Sequence, residues 1–265
     1  MGQEAAREAG KVARNRWVER LARGGYAAAG LIHVLIGWLA IQVALGRGGE
    51  ADQSGALSSL RSAPAGPALL WICFVGLAML SLWYVVATVT GGAPGKTRWS
   101  TAALAVVYAA LAATTFGFAR GAGADGEERT DDLTATLMGL PAGRVLVAAL
   151  GAVIVGVGVY HVWKGLSLKF LEDLRTSGEG AAGKVVRAVG TVGYAAKGVA
   201  LSIVGVLFAL AALRADPEQA GGLDAALKTL AEQPFGRTLL VAVAVGLVLY
   251  GVYSFARARY ARMRG

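Results

Sequence analysis

The chain has 265 residues, 55% of them hydrophobic and 16% charged, with a mean hydropathy of +0.54 and a formal net charge of +9. Soluble domains carry about 25% charged residues, so a single water-exposed globule is excluded. One cysteine, Cys73, excludes an internal disulfide and a cysteine metal cluster.

The first 23 residues are charged and alanine-rich, without the apolar core of a cleavable signal peptide. Residues 1–14 are expected as a basic cytoplasmic tail. Five runs then contain no Asp, Glu, Lys or Arg: Gly24–Gly46, Ser62–Gly95, Trp99–Ala119, Val145–Trp163 and Thr238–Ala256. A sixth, Ala188–Leu213, is interrupted only by Lys197. About 20 apolar residues cross the hydrocarbon core as a helix, so the expected fold is all-α, a polytopic membrane protein with six transmembrane helices.

Charge orients these helices. Segments 1–23, 91–98, 164–187 and 257–265 hold 17 basic residues against 6 acids. Segments 47–61, 120–144 and 214–237 hold 8 basic residues against 11 acids. The basic side is expected to be cytoplasmic, with both termini inside a bacterial plasma membrane. "R-A-R-Y-A-R-M-R" at 257–264 then reads as an anchor at anionic headgroups, not a nucleic-acid surface.

The chain repeats itself. "G-Y-A-A-A-G" at 25–30 returns as "G-Y-A-A-K-G" at 193–198. Behind each copy comes A-L-x-x-L-x-x-x-P-x-G-x-x-L-L, at 56–70 and 226–240, with a weaker version at 134–147. Trp17 precedes Tyr26 by nine residues, as Trp99 precedes Tyr108, so the middle segment shares the front element. The expected organisation is a single membrane domain, 1–265, of three helix hairpins near 15–91, 97–166 and 184–258. Each hairpin crosses twice, so all three face the same way, most simply around a pseudo-threefold axis. Each A-L-x-x-L stretch is expected as a short amphipathic helix stopped by Pro64, Pro141 or Pro234, with the proline able to start the next helix. Gly151, Gly158 and Gly165 recur every seven residues and mark a tight helix contact.

Lys197 stands near the middle of its helix, and no carboxylate lies in any of the six runs. It must snorkel to the membrane edge, lose its proton, face water inside the bundle, or meet an anion from outside the chain. His33 lies one turn beyond the position equivalent to Lys197, and Thr115 is its middle-copy counterpart. With Tyr26, Tyr108 and Tyr194 these residues are the candidates to line one central polar cavity. Trp83, Tyr160 and Tyr253 align across the copies and read as an interfacial aromatic belt. The acidic stretch at 125–132 reads as a solvated loop. Two histidines without an intramembrane carboxylate fall short of a metal ligand set. No cofactor is expected, and no enzyme motif appears.

Three tandem hairpins, with "G-Y-A-A-K-G" opening one helix and A-L-x-x-L-x-x-x-P-x-G leading into the next, resemble a bacterial, mainly actinobacterial, integral-membrane family known as domain of unknown function 1206. The resemblance runs from Trp17 to about Tyr260. Ala29 departs from it where copy three has Lys197, and copy two lacks the glycine before its tyrosine. The resemblance implies fold and membrane location, and no catalytic residues.

Two functions follow from the residues. One is a small channel or carrier for an anionic solute or lipid headgroup around Lys197. The other is a non-catalytic scaffold or accessory subunit with a membrane protein partner. The lipid bilayer is a partner in both, and nucleic acid in neither.

Overall fold

The computed structural model describes residues 16–91, 96–122, 126–176 and 180–263; the expected tail at 1–14 lies outside them. Nine α-helices are described: α1 (Arg16–Ala44), α2 (Gln53–Ser62), α3 (Gly66–Val89), α4 (Arg98–Ala119), α5 (Gly126–Met138), α6 (Gly143–Leu166), α7 (Gly180–Arg214), α8 (Leu223–Ala231) and α9 (Gly236–Tyr260). Six of them, α1, α3, α4, α6, α7 and α9, are long and apolar enough to cross a membrane. They coincide with the six apolar runs, and α7 extends two turns further toward the basic end.

The short helices α2, α5 and α8 join the two long helices of each hairpin. α5 begins at Gly126, so most of the acidic stretch at 125–132 is helix rather than loop; residue 125 lies outside the described residues.

The P-x-G motif forms one turn three times. Gly66 N–H donates to Ala63 O, Gly143 N–H to Leu140 O and Gly236 N–H to Gln233 O, at 2.7–2.8 Å. The residue before each glycine is left-handed, with φ of 60° at Ala65, 61° at Ala142 and 60° at Phe235. Proline second and a left-handed residue third is the pattern of a type II turn. The prolines therefore sit in the turn itself, two residues before the helix, and not in the helix's first turn as expected. Glycine is required next for steric reasons. A Cβ on Gly66 would lie 2.1 Å from Leu60 O, and one on Gly143 would lie 1.9 Å from Leu137 O.

The long helices pack by one repeated contact, in which the second helix of a hairpin meets the first helix of the next: α3 on α4, α6 on α7, and α9 back on α1. In α6 the glycine stripe is used in full. Gly151 meets Gly205 O, Gly158 meets Gly198 O, and Gly165 meets Thr191 O, each within 2.9 Å of the Cβ it lacks. Gly30 and Gly251 form the same contact between α1 and α9, and Ser81 makes it by donating to Ala105 O at 2.9 Å between α3 and α4. Close approach of backbones maximises dispersion where no hydrophobic effect operates between helices in lipid.

Within hairpins the symmetry fails once. α1 packs on α3 and α7 packs on α9, whereas α4 and α6 make no comparable contact. The six helices therefore follow an open arc, α4–α3–α1–α9–α7–α6, in place of the closed pseudo-threefold ring that three equal repeats imply. The sequence holds the reason. Gly25 and Gly76 let α1 approach α3, and Gly193 and Gly246 do the same for α7 and α9. The corresponding residues of the middle hairpin are Val107 and Val153, and both are exposed.

Candidate functional site

Two polar groups lie inside the arc. The first is at the middle of the bundle. Lys197 projects from α7 toward α1 and α9. Its Nζ lies 3.3 Å from His33 Nε2 and 4.3 Å from the centre of the Tyr250 ring. His33 Nδ1 lies 2.7 Å from Ala29 O, so Nδ1 carries the proton and Nε2 turns its lone pair to the ammonium. The His33 and Tyr250 rings are 4.8 Å apart. A neutral acceptor and an aromatic face thus hold the lysine side chain against α1 and α9 inside the bundle. Neither partner is anionic, so the positive charge stays uncompensated among the described residues. Ala29, at the equivalent position of α1, supplies the backbone carbonyl that fixes the His33 tautomer.

The second group is at the basic end, where Arg257 was expected only as part of a headgroup anchor. Arg257 of α9 is buried, and its guanidinium lies 4.2 Å from the Tyr26 ring centre. Tyr26 and Tyr84 share a hydroxyl–hydroxyl hydrogen bond of 2.6 Å, and Tyr84 stacks on Tyr108 at 5.6 Å. Tyr194 packs against Tyr250 at 5.2 Å, Phe170 at 5.4 Å and His161 at 5.7 Å. A short 3₁₀ segment, Lys169–Asp173, closes this end. Its Asp173 carboxylate accepts from Lys96 and, at 2.7 Å, from Lys164. Burial alone would raise this carboxyl; Lys96, Arg257 and Lys164 outweigh it and hold Asp173 well below the usual carboxylate range. A cavity with room for about one water molecule lies between Tyr26, Trp83, Lys96, Asp173, Arg257 and Arg262.

The six predicted site residues therefore divide. Lys197 and His33 are in contact, at the middle. Tyr26, Tyr108 and Tyr194 gather at the basic end around Arg257, and of the six only Tyr26 lines the cavity found there. Thr115 joins neither group: it is fully buried, and its hydroxyl donates to Leu111 O at 2.7 Å in its own helix. A helical threonine satisfies its hydroxyl at the carbonyl one turn back. Of the residues expected in an aromatic belt, Tyr160 is exposed, whereas Trp83 and Tyr253 are buried and the belt reading is corrected for them; Tyr253 donates to Phe170 O at 3.1 Å.

Arg257, Lys96, Asp173 and Trp83 were missed as a group. Arg257 had a legible signal: Gly246, Tyr250, Tyr253 and Arg257 follow spacings of four, three and four, which put the arginine on the buried face of α9. Lys96 and Asp173 had none, since they are joined across 77 residues by loops. Among the described residues no three His, Cys, Asp or Glu side chains gather as a metal-binding group.

The model of the family described as Domain of Unknown Function (DUF1206) matches three times, at residues 24–91, 100–167 and 192–261. These are the three hairpins. The chain is also similar to "Uncharacterized protein YxxB" of Bacillus subtilis (strain 168), with 31% identity over 255 residues covering 93% of this chain and 92% of the relative. No solved structure matches.

Proposed function

This chain belongs to the Domain of Unknown Function (DUF1206) family, and from that premise and its lysine at mid-bundle we propose a small channel or carrier for an anionic solute or lipid headgroup. The observation that carries the reading is Lys197, between His33 and Tyr250 with no carboxylate paired to it among the described residues. A charge at the centre of a bilayer costs about 2.5–3.5 kcal/mol on insertion scales. His33 accepts one of the three ammonium protons, and the Tyr250 ring contributes about 0.5–2 kcal/mol. The remaining positive field selects for an anion. The open side between α4 and α6 gives such a group lateral access from the lipid. The role is non-catalytic, and the termini are cytoplasmic in a plasma membrane, in keeping with the charge bias. Flux of a panel of small anions into liposomes tests it: wild type is expected above the leak, and Lys197→Ala at the leak. Leak-level flux for both overturns it.

One observation favours the scaffold as a second reading. α6 is the least buried of the six long helices and presents Leu146, Val153, Val157 and Trp163 outward. A partner helix from another membrane protein would close the arc there. That reading predicts a membrane protein co-purifying in mild detergent, and a clean monomer counts against it.

A further inference from the structure

We propose that the basic end of the bundle is a second anion site, built to take an oxygen of a phosphate group between Arg257 and Trp83. It lies apart from Lys197 and does not depend on the role proposed for that residue.

Three observations carry it. The cavity there has room for an oxygen-sized group and is lined by Arg257, Lys96, Arg262 and Trp83, with Asp173 as the one acid. Two N–H groups of that lining, Arg257 Nε and Trp83 Nε1, are buried without a hydrogen-bond partner among the described residues. Their residues are 6% and 3% exposed. Both groups can only donate, so only an acceptor satisfies them. The third observation is charge. The single carboxylate of Asp173 is shared by Lys96 and Lys164. Arg257 and Arg262 have no carboxylate partner among the described residues.

A trapped water would meet the two donors but add no negative charge, and Asp173, the acid that Arg257 shares this end with, is already paired with Lys96 and Lys164. Removing a guanidinium from water costs several kcal/mol, more than the Tyr26 face returns at about 0.5–2 kcal/mol. An anion answers both deficits. Phosphate is the favoured oxyanion because several oxygens of one group can be shared among Arg257, Lys96 and Arg262, which all line the cavity. The group comes either from a phospholipid headgroup at the membrane surface or from free phosphate.

The test uses the whole protein in a maltoside detergent, which carries no phosphate. Inorganic phosphate is titrated calorimetrically, and in a second arm retention of phosphatidic acid is compared with diacylglycerol by native mass spectrometry. Saturable binding in either arm, weakened at least tenfold by Trp83→Phe and by Arg262→Gln but unchanged by Lys197→Ala, supports the site, and the arm that binds identifies the source. No saturable binding in either arm overturns it. So does binding that survives both Trp83→Phe and Arg262→Gln, or binding abolished by Lys197→Ala. Trp83→Phe and Arg262→Gln keep the answer decisive should Arg257→Gln fail to fold.

Discussion

Gly25 of α1 and Gly76 of α3 touch backbone to backbone: a Cβ on Gly25 would lie 2.3 Å from Gly76 O. The middle hairpin has Val107 and Val153 at the corresponding positions, and its two helices stand apart. One pair of positions thus separates a closed hairpin from an open one. Gly25→Val should force α1 from α3. Overpacking of this kind costs about 1–3 kcal/mol or more, and the thermal midpoint should fall by roughly 5–10 °C in detergent. A midpoint equal to wild type would show that the glycine contact does not hold the hairpin.

Lys197 gives a prediction in which stability and transport part company. Lys197→Met keeps the length of the side chain and removes the charge. It relieves an insertion cost of about 2.5–3.5 kcal/mol and leaves His33 Nε2 unpaired at about 1–3 kcal/mol. The thermal midpoint is therefore expected to stay level or rise, while anion flux falls to the leak. A variant that unfolds would make Lys197 a structural residue.

Asp173 sets an acid limit. Its carboxyl is held low in the folded protein, so the unfolded chain takes up the proton first. The stability it contributes is full above its ordinary value of 3.8 and is lost progressively as pH falls below that. Asp173→Asn should remove this part of the acid dependence. At neutral pH it should cost about 3–5 kcal/mol, because Lys96 and Lys164 are left buried without a counter-charge. Unfolding curves for both proteins between neutral pH and pH 3 check the slope and the offset together.

Topology can be read with thiol labels. Cys73→Ala gives a cysteine-free background. Ser100→Cys, at the basic end, and Ser59→Cys, on α2, are both exposed positions. An impermeant maleimide applied to intact cells should label Ser59→Cys and spare Ser100→Cys. The reverse pattern would invert the orientation drawn from the Lys and Arg bias.

Six long apolar helices in three hairpins were legible because each rests on local composition. A charge-free run of 20 residues has few stable places outside lipid, and Y-A-A or P-x-G returning at fixed offsets marks a repeated backbone. The prolines were legible as helix stops, but they sit in a type II turn before the next helix and not at its start. At the site the reading reached Lys197 and His33 one by one. It overreached at Thr115, because alignment gives depth along a helix and not the direction a side chain takes.

The sequence by itself determined the six long apolar helices, their three-fold repetition and the isolation of one lysine among apolar residues, all properties of contiguous residues and their hydration. Tertiary structure alone decided that Lys197 meets His33 across 164 residues, that Arg257 is buried over Tyr26, and that the ring stays open between α4 and α6. Those outcomes depend on which helix faces approach closely enough to touch, and that is set by small residues on both partners at once, a relation no single stretch of chain carries.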